Sequence, residues 1–339
     1  MNSKLQYLTA SAFAISMAAP FATYAAPVTL QFDPTGAGNT TGAAVTVAMI
    51  DQTVGSALAV GGNTAVQNFL AGSGDTGFTL YYQANLGTMS DGASPAPVFT
   101  NGNGGNYFTF VAGFGEKVAG AEAYPGTSSF VLDSSNPVNY FQMYANSGGN
   151  NLTGEGFSSG TLILSGKLTS VGTSNFQISD TAPVDLDQRG TNDWNTSGPG
   201  GTNQTTVTGG GASNFAIQID FADSDYFLDA APLIGSGEIL WSFFNNSQVD
   251  PFNQVDPSKC FSTQGSDCGT GGGIISVGTL GAINGNQSSS AGVTGPNFMF
   301  QADGNQSFAT QKLPEPASIA LIGLGLSLIG FFNRRRYTA

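Results

Sequence analysis

The sequence predicts an all-β protein, an antiparallel β-sandwich of jelly-roll or immunoglobulin-like type, with an N-terminal signal helix and a C-terminal single transmembrane helix. Three observations carry this reading. Short runs with period-2 alternation, or enriched in β-branched and aromatic residues, recur through the body of the chain. Turns rich in Gly, Asn and Ser separate them, and the 48 glycines supply the positive φ that such turns need. No sustained helical stripe stands outside the two ends.

The first 25 residues form an export signal. Lys4 supplies a small positive start, and Leu5 to Ala19 is a mostly apolar stretch. Ala22-Thr23-Tyr24-Ala25-Ala26-Pro27 then offers small residues for cleavage. Cleavage is expected after Ala25, because cutting after Ala26 would leave Pro27 at the mature N-terminus.

The exported body, residues 26–312, reads as strand after strand. The first group is Val28–Phe32, Ala44–Ala48, Phe78–Tyr82 and Tyr107–Val111. Tyr140–Tyr144, Thr161–Leu164, Phe215–Phe221, Ile239–Phe243 and Asn297–Gln301 continue the pattern. Turns such as Asn101–Gly105 and Asn146–Asn150 lie between them. About nine to twelve strands in one body make a single sandwich the economical solution. Stretches 190–213 and 262–296 are low in core formers and read as loops over it, or, near residue 200, as a boundary between two smaller β units. No short-period repeat supports a solenoid or propeller.

Composition limits the partners. The body keeps five basic residues (Lys117, Lys167, Arg189, Lys259 and Lys312) against 21 of the 22 acidic ones, a net charge of −16. Such a surface disfavours nucleic acid and anionic membranes. Charged residues are only 9% of the chain, so the exterior must be mostly Asn, Gln, Ser, Thr and Gly. With 25 Phe and 10 Tyr, the chain still has enough apolar surface for a core.

The sequence contains no histidine, which removes Ser-His-Asp and Cys-His nucleophiles and every His-ligated metal site. No Walker loop, GxSxG or dinucleotide fingerprint appears. A carboxylate pair drawn from Glu116, Glu122, Glu155 and Glu238 is the remaining enzymatic route, as in glycoside hydrolysis. Solvated loop carboxylates are the simpler reading, so no catalytic residue and no cofactor are expected.

Asp185 to Asp193 begins like a calcium loop, but Arg189 stands where a ligand oxygen is needed and no Glu follows at the twelfth place. Asp220, Asp223, Asp225 and Asp229 form a second acidic cluster after a strand, a weak Ca²⁺ candidate, since Asp also favours turns without metal. Cys260 and Cys268 enclose seven residues. In an oxidising exported setting they predict one local disulfide.

Residues 313–339 close the chain. Pro314-Glu315-Pro316 stands before an apolar run, 317–332, and Arg334, Arg335 and Arg336 follow it. Sixteen residues at 1.5 Å each give roughly 24 Å, short of the ~30 Å hydrocarbon core, which suits a transient inner-membrane anchor with its basic end inside. This order of triplet, short span and arginines resembles the PEP-CTERM sorting signal of Gram-negative bacteria. The resemblance implies recognition by an exosortase, loss of the tail, and delivery to the cell surface or extracellular matrix.

Three body segments extend the resemblance: Asn151 to Ser170 (NLTGEGFSSGTLILSGKLTS), Pro251 to Pro257 (PFNQVDP) and Phe298 to Phe308 (FMFQADGNQSF). They look like the flocculation-associated PEP-CTERM proteins of floc-forming bacteria. That family implies a non-enzymatic surface or matrix protein acting with extracellular polysaccharide in flocs or biofilm. A secreted carbohydrate-binding module is the alternative, and a carboxylate-dependent hydrolase a more distant one. Sugar stacking would draw on Tyr81, Tyr82, Tyr107, Tyr124, Tyr140, Tyr144, Trp194 or Trp241. Trp194, in the polar run Asn192 to Thr196, is the expected exposed platform.

Overall fold

Strands occupy nearly every run that alternation marks out. In a computed structural model, residues 26–39, 42–190, 194, 204–230, 234, 237–284 and 293–310 are described. β1 (Ala26–Val28), β2 (Leu30–Phe32), β3 (Val45–Val47), β4 (Met49–Gln52) and β5 (Gly55–Val60) precede the helix α1 (Gly62–Leu70). β6 (Gly77–Ser90), β7 (Phe99–Thr100), β8 (Tyr107–Ala121), β9 (Gly126–Leu132) and β10 (Asn139–Asn146) follow. Then come the two longest strands, β11 (Thr161–Asp185) and β12 (Thr205–Ala222), and β13 (Gly237–Asp250). Two short pieces, β14 (Cys260–Phe261) and β15 (Ile275–Ser276), lead to β16 (Phe298–Ala302) and β17 (Gly304–Thr310).

Among the described residues, thirteen strands join one large sheet. Its pairings run β6–β5–β16–β13–β12–β11–β10–β8 and return to β6, so the sheet closes on itself. The closure rests on an antiparallel ladder from Gly77↔Lys117 to Asn85↔Thr109. The sequence predicts two stacked sheets of a sandwich; here one hydrogen-bonded sheet curves back to its own edge, which removes most exposed edges. Residues 27–310 make one compact unit.

The inner face of this sheet is the main core. Along β8 it presents Phe108, Phe110, Ala112, Phe114 and Val118, all buried, and along β6 Phe78, Leu80, Tyr82, Ala84 and Leu86. Phe114 meets Phe215 of β12 edge-on, with ring centroids 5.0 Å apart. A one-residue offset turns the neighbours outward. Outside the sheet a smaller cluster gathers Leu58 and Met299 with Leu186, Trp194, Phe252, Phe261, Val277 and Ile283. The 251–284 segment, whose part from 262 onward reads from sequence as a loop, therefore packs as an outer layer with its own core.

Helix α1 departs from the all-strand expectation. Nine residues make about two and a half turns, too short to print a stripe in the sequence. It buries Ala65 and Val66. Its start is tied down where Asn63 donates to the Val293 carbonyl at 3.0 Å and the Gly61 N–H donates to Asn297 Oδ1 at 2.8 Å. Among the described residues no helix is long and apolar enough to cross a membrane. The expected signal helix and the 317–332 span both lie outside the described residues.

Candidate functional site

Strand β11 separates two sites of opposite chemistry. Inward go Ser174, Phe176 and Ile178, all buried, while Asn175, Gln177 and Ser179 belong to the outer face. The outer residues floor a depression of about 590 Å³, whose remaining lining is Thr127, Gly209, Gly210, Gly211, Val249, Asn253 and Gln254. The glycine run matters because β12 has to lie close to β11 here: a Cβ at Gly211 would overlap the Asn175 carbonyl, and one at Gly209 would sit 2.6 Å from the Phe176 ring. The other wall is fixed by Gln301, whose Oε1 accepts the N–H groups of Asn253 and Gln254, each at 3.0 Å. No lining residue is charged or aromatic. What the depression offers is amides, hydroxyls and backbone, a donor and acceptor set matched to uncharged polar ligands.

On the inner side lies a cavity of about 60 Å³. Aromatic and aliphatic side chains dominate it, with Glu116 of β8 among them. Glu116 is only 3% exposed. Burial pushes its carboxyl up to about 7, against a smaller opposing effect of its hydrogen bond with Ser174. Behind Ser174 the polar atoms are linked in series: Ser174 and Ser213 hydroxyls are 2.9 Å apart, and Gln248 Nε2 donates to the Ser213 hydroxyl at 2.7 Å.

The other acids named from sequence are dispersed. Neither Glu122 nor Glu155 lines the Glu116 cavity. Glu122 sits in the β8–β9 turn, where its Oε2 accepts the Thr127 N–H at 3.2 Å. Glu155 belongs to the 150–156 turn, and the side chain of Glu238 lies outside the described residues. The acidic cluster at the end of β12 engages its oxygens in hydrogen bonds within the fold. Asp220 accepts from the Ser165 hydroxyl, Asp223 Oδ1 from the Asp225 N–H at 2.9 Å, and Asp229 Oδ1 from the Gln31 N–H at 2.8 Å. Among the described residues no group of three acidic or cysteine side chains is placed to hold a metal ion.

Trp194 is a correction. Instead of an exposed platform it is fully buried in the outer cluster with Leu186 and Phe252. The reason is Asp187, itself buried, whose carboxylate accepts the N–H groups of Arg189 at 3.0 Å and Trp194 at 3.4 Å and so ties the Trp194 backbone to the cluster. Of the proposed tyrosines, Tyr82, Tyr140 and Tyr144 are buried too, Tyr81 and Tyr124 are partly covered, and Tyr107 is exposed. The side chain of Trp241 lies outside the described residues.

Cys260 and Cys268 are bonded to each other. Gln83, on the outer face of β6, anchors this loop: its Nε2 donates to the Cys260 carbonyl at 2.9 Å and its Oε1 accepts the Ser262 N–H at 3.0 Å. Asp267 then gathers the loop around itself, accepting the N–H groups of Gly156, Ser158 and Gly269 at 2.9–3.1 Å. Burial opposes charge on Asp267, but these donors outweigh it and hold the carboxyl below its ordinary value.

Sequence reasoning missed Glu116 as a distinctive group, although its signal was present. The inward file of β8 reads Phe108, Phe110, Ala112, Phe114, Glu116, Val118, one carboxyl in an apolar row. The polar depression left no such signal, because it joins β9, β11, β12, β13 and the 253–254 turn through tertiary contact alone.

Residues 313–336 match the PEP-CTERM protein-sorting motif. No curated protein and no solved structure matches the chain. The motif marks an exported protein that an exosortase processes at its C-terminus. The protein is thus a PEP-CTERM-bearing export of a Gram-negative bacterium, and Pro314, Glu315, Pro316 and Arg334 to Arg336 all fall within the match.

Proposed function

We propose that the chain is a non-enzymatic protein of the cell surface or extracellular matrix, which promotes flocculation or biofilm by holding extracellular polysaccharide. The sorting signal at 313–336 carries the reading, because it marks the body for export, as a protein acting on extracellular polymer requires. The three body segments that look like flocculation-associated proteins agree with it. The uncharged polar depression supports it chemically: Asn175, Gln177, Asn253 and Gln254 present amides to a ligand rich in hydroxyls. Tail removal would free the body from a transient inner-membrane anchor after the exosortase has acted.

Absence of catalysis is part of the proposal. Glu116 has neither Glu122 nor Glu155 beside it in its cavity, and glycoside hydrolysis needs two carboxyl groups across one bond. A binding module without aggregating activity is the second reading, favoured by the same depression, and would bind soluble oligosaccharide saturably.

Co-sedimentation with exopolysaccharide purified from the producing strain tests the site. The parent protein is expected in the pellet, and a triple variant N175A/Q177A/Q254A is expected to need at least tenfold more polymer for the same retention. Equal retention of the two would remove the depression from the account.

A further inference from the structure

The Glu116 cavity has no place in a polysaccharide-holding role, and its chemistry is that of a different ligand. Its walls include Val66 of α1, Phe78 of β6, Phe176 of β11 and Phe300 of β16. At about 60 Å³ it is several times what a single water needs. One carboxylate oxygen, Glu116 Oε1, is buried there without a hydrogen-bond partner. Such an atom is costly unless something brings it a donor.

The protein supplies a donor to only one side of this carboxyl. Gln248 N–H, Ser213 O–H and Ser174 O–H line up toward Glu116, each able to donate to the next. That chain ends on Glu116 and leaves Oε1 for a group from outside. No lysine or arginine lines the cavity, so no internal counter-charge exists. The chain's net charge of −13 further favours a cation over an anion at the surface.

We propose that this cavity binds a small amphipathic amine, its apolar body among Val66, Phe78, Phe176 and Phe300 and its ammonium group on Glu116 Oε1. A cation is preferred to a neutral alcohol because it supplies both the missing donor and the missing counter-charge. The ionisation of Glu116 at about 7 gives the binding a direction with pH. The carboxylate form is the competent one, about a tenth populated at pH 6 and about nine-tenths at pH 8. An amine that stays protonated throughout should therefore bind roughly tenfold more tightly at pH 8.

Ethylamine and ethanol serve as probes, sized to a cavity smaller than the ~150 Å³ that holds a benzene ring, and are titrated into the full chain in mild detergent while the Ile178 methyl signals are followed by NMR. The expected result is saturable ethylamine binding, about tenfold tighter at pH 8 than at pH 6, and tighter than the alcohol at pH 8. E116Q should lose both the pH dependence and the preference for the amine. V66W, which fills the cavity from the helix side, should abolish binding of both probes and provides the test should E116Q fail to fold. No saturable binding, equal affinity for the two probes, or E116Q or V66W binding ethylamine like the parent would each overturn the proposal.

Discussion

The two faces of β11 differ by one residue in register and by almost everything in chemistry. Ser174, Phe176 and Ile178 look into a mostly apolar cavity with one buried carboxyl, while Asn175, Gln177 and Ser179 floor a wide polar depression without charge. The inner face belongs to a core that runs through most strands of the closed sheet. The outer face carries smaller clusters held by local loops, one centred on Trp194 and Phe252, another on Tyr140 and Phe157. The lesson is a division of labour: the inner face supplies most of the buried core, and the outer face carries the polar surface.

The comparison breaks most visibly at Phe114. It is fully buried and stacked edge-on against Phe215, so Phe114→Ala should cost about 3–5 kcal/mol in chemical denaturation. By contrast, Gln177→Ala on the outer face should stay within about 0.5 kcal/mol. Similar costs at the two positions would dissolve the distinction.

Glu116 sharpens the comparison through pH. Its folded carboxyl is raised from 4.5 to about 7, so between those values the folded chain holds a proton that the unfolded chain has released. Stability should therefore fall as pH rises through that window, by about 3 kcal/mol from this group alone. Asp303, raised to about 6 by burial and then by Asp51, acts in the same direction. The informative quantity is thus the parent minus Glu116→Gln: that difference should carry the whole slope assigned to Glu116, and identical pH profiles would contradict the burial argument.

The outer layer answers to its disulfide. Replacing Cys260 and Cys268 together by alanine should cost roughly 2–3 kcal/mol from loop entropy. Hydrogen exchange should quicken around Gly154 to Ser158 and Ser262 to Gly269, where Asp267 gathers backbone donors, while β8 stays protected. Asp267 has the opposite pH sign to Glu116. Its lowered carboxyl stabilises above the ordinary carboxylate range, and that contribution disappears as pH falls through its folded value.

Much of this was legible beforehand. Alternation located the runs that became β6, β8, β10, β12 and β16, since a strand with one buried face must alternate whatever its partner. The sorting tail was legible because its parts are contiguous. Sheet closure was not: it depends on β6 pairing with β8 as well as with β4 and β5, a choice that local sequence does not encode. Trp194 misled for a related reason. Its neighbours are polar, but its burial is set by Asp187 before it and Phe252 far after it. The polar depression was invisible because its glycines and amides look like ordinary turn composition until β11 and β12 are paired.

The most direct test of the central claim compares cell aggregation and protein location in the parent strain, a deletion strain, and a strain with Pro314, Glu315 and Pro316 replaced by alanine. The account predicts dispersed cells on deletion, and equally dispersed cells with the protein trapped in the membrane in the triple variant. Normal aggregation without the protein would contradict the flocculation role, even with the sorting of the tail intact.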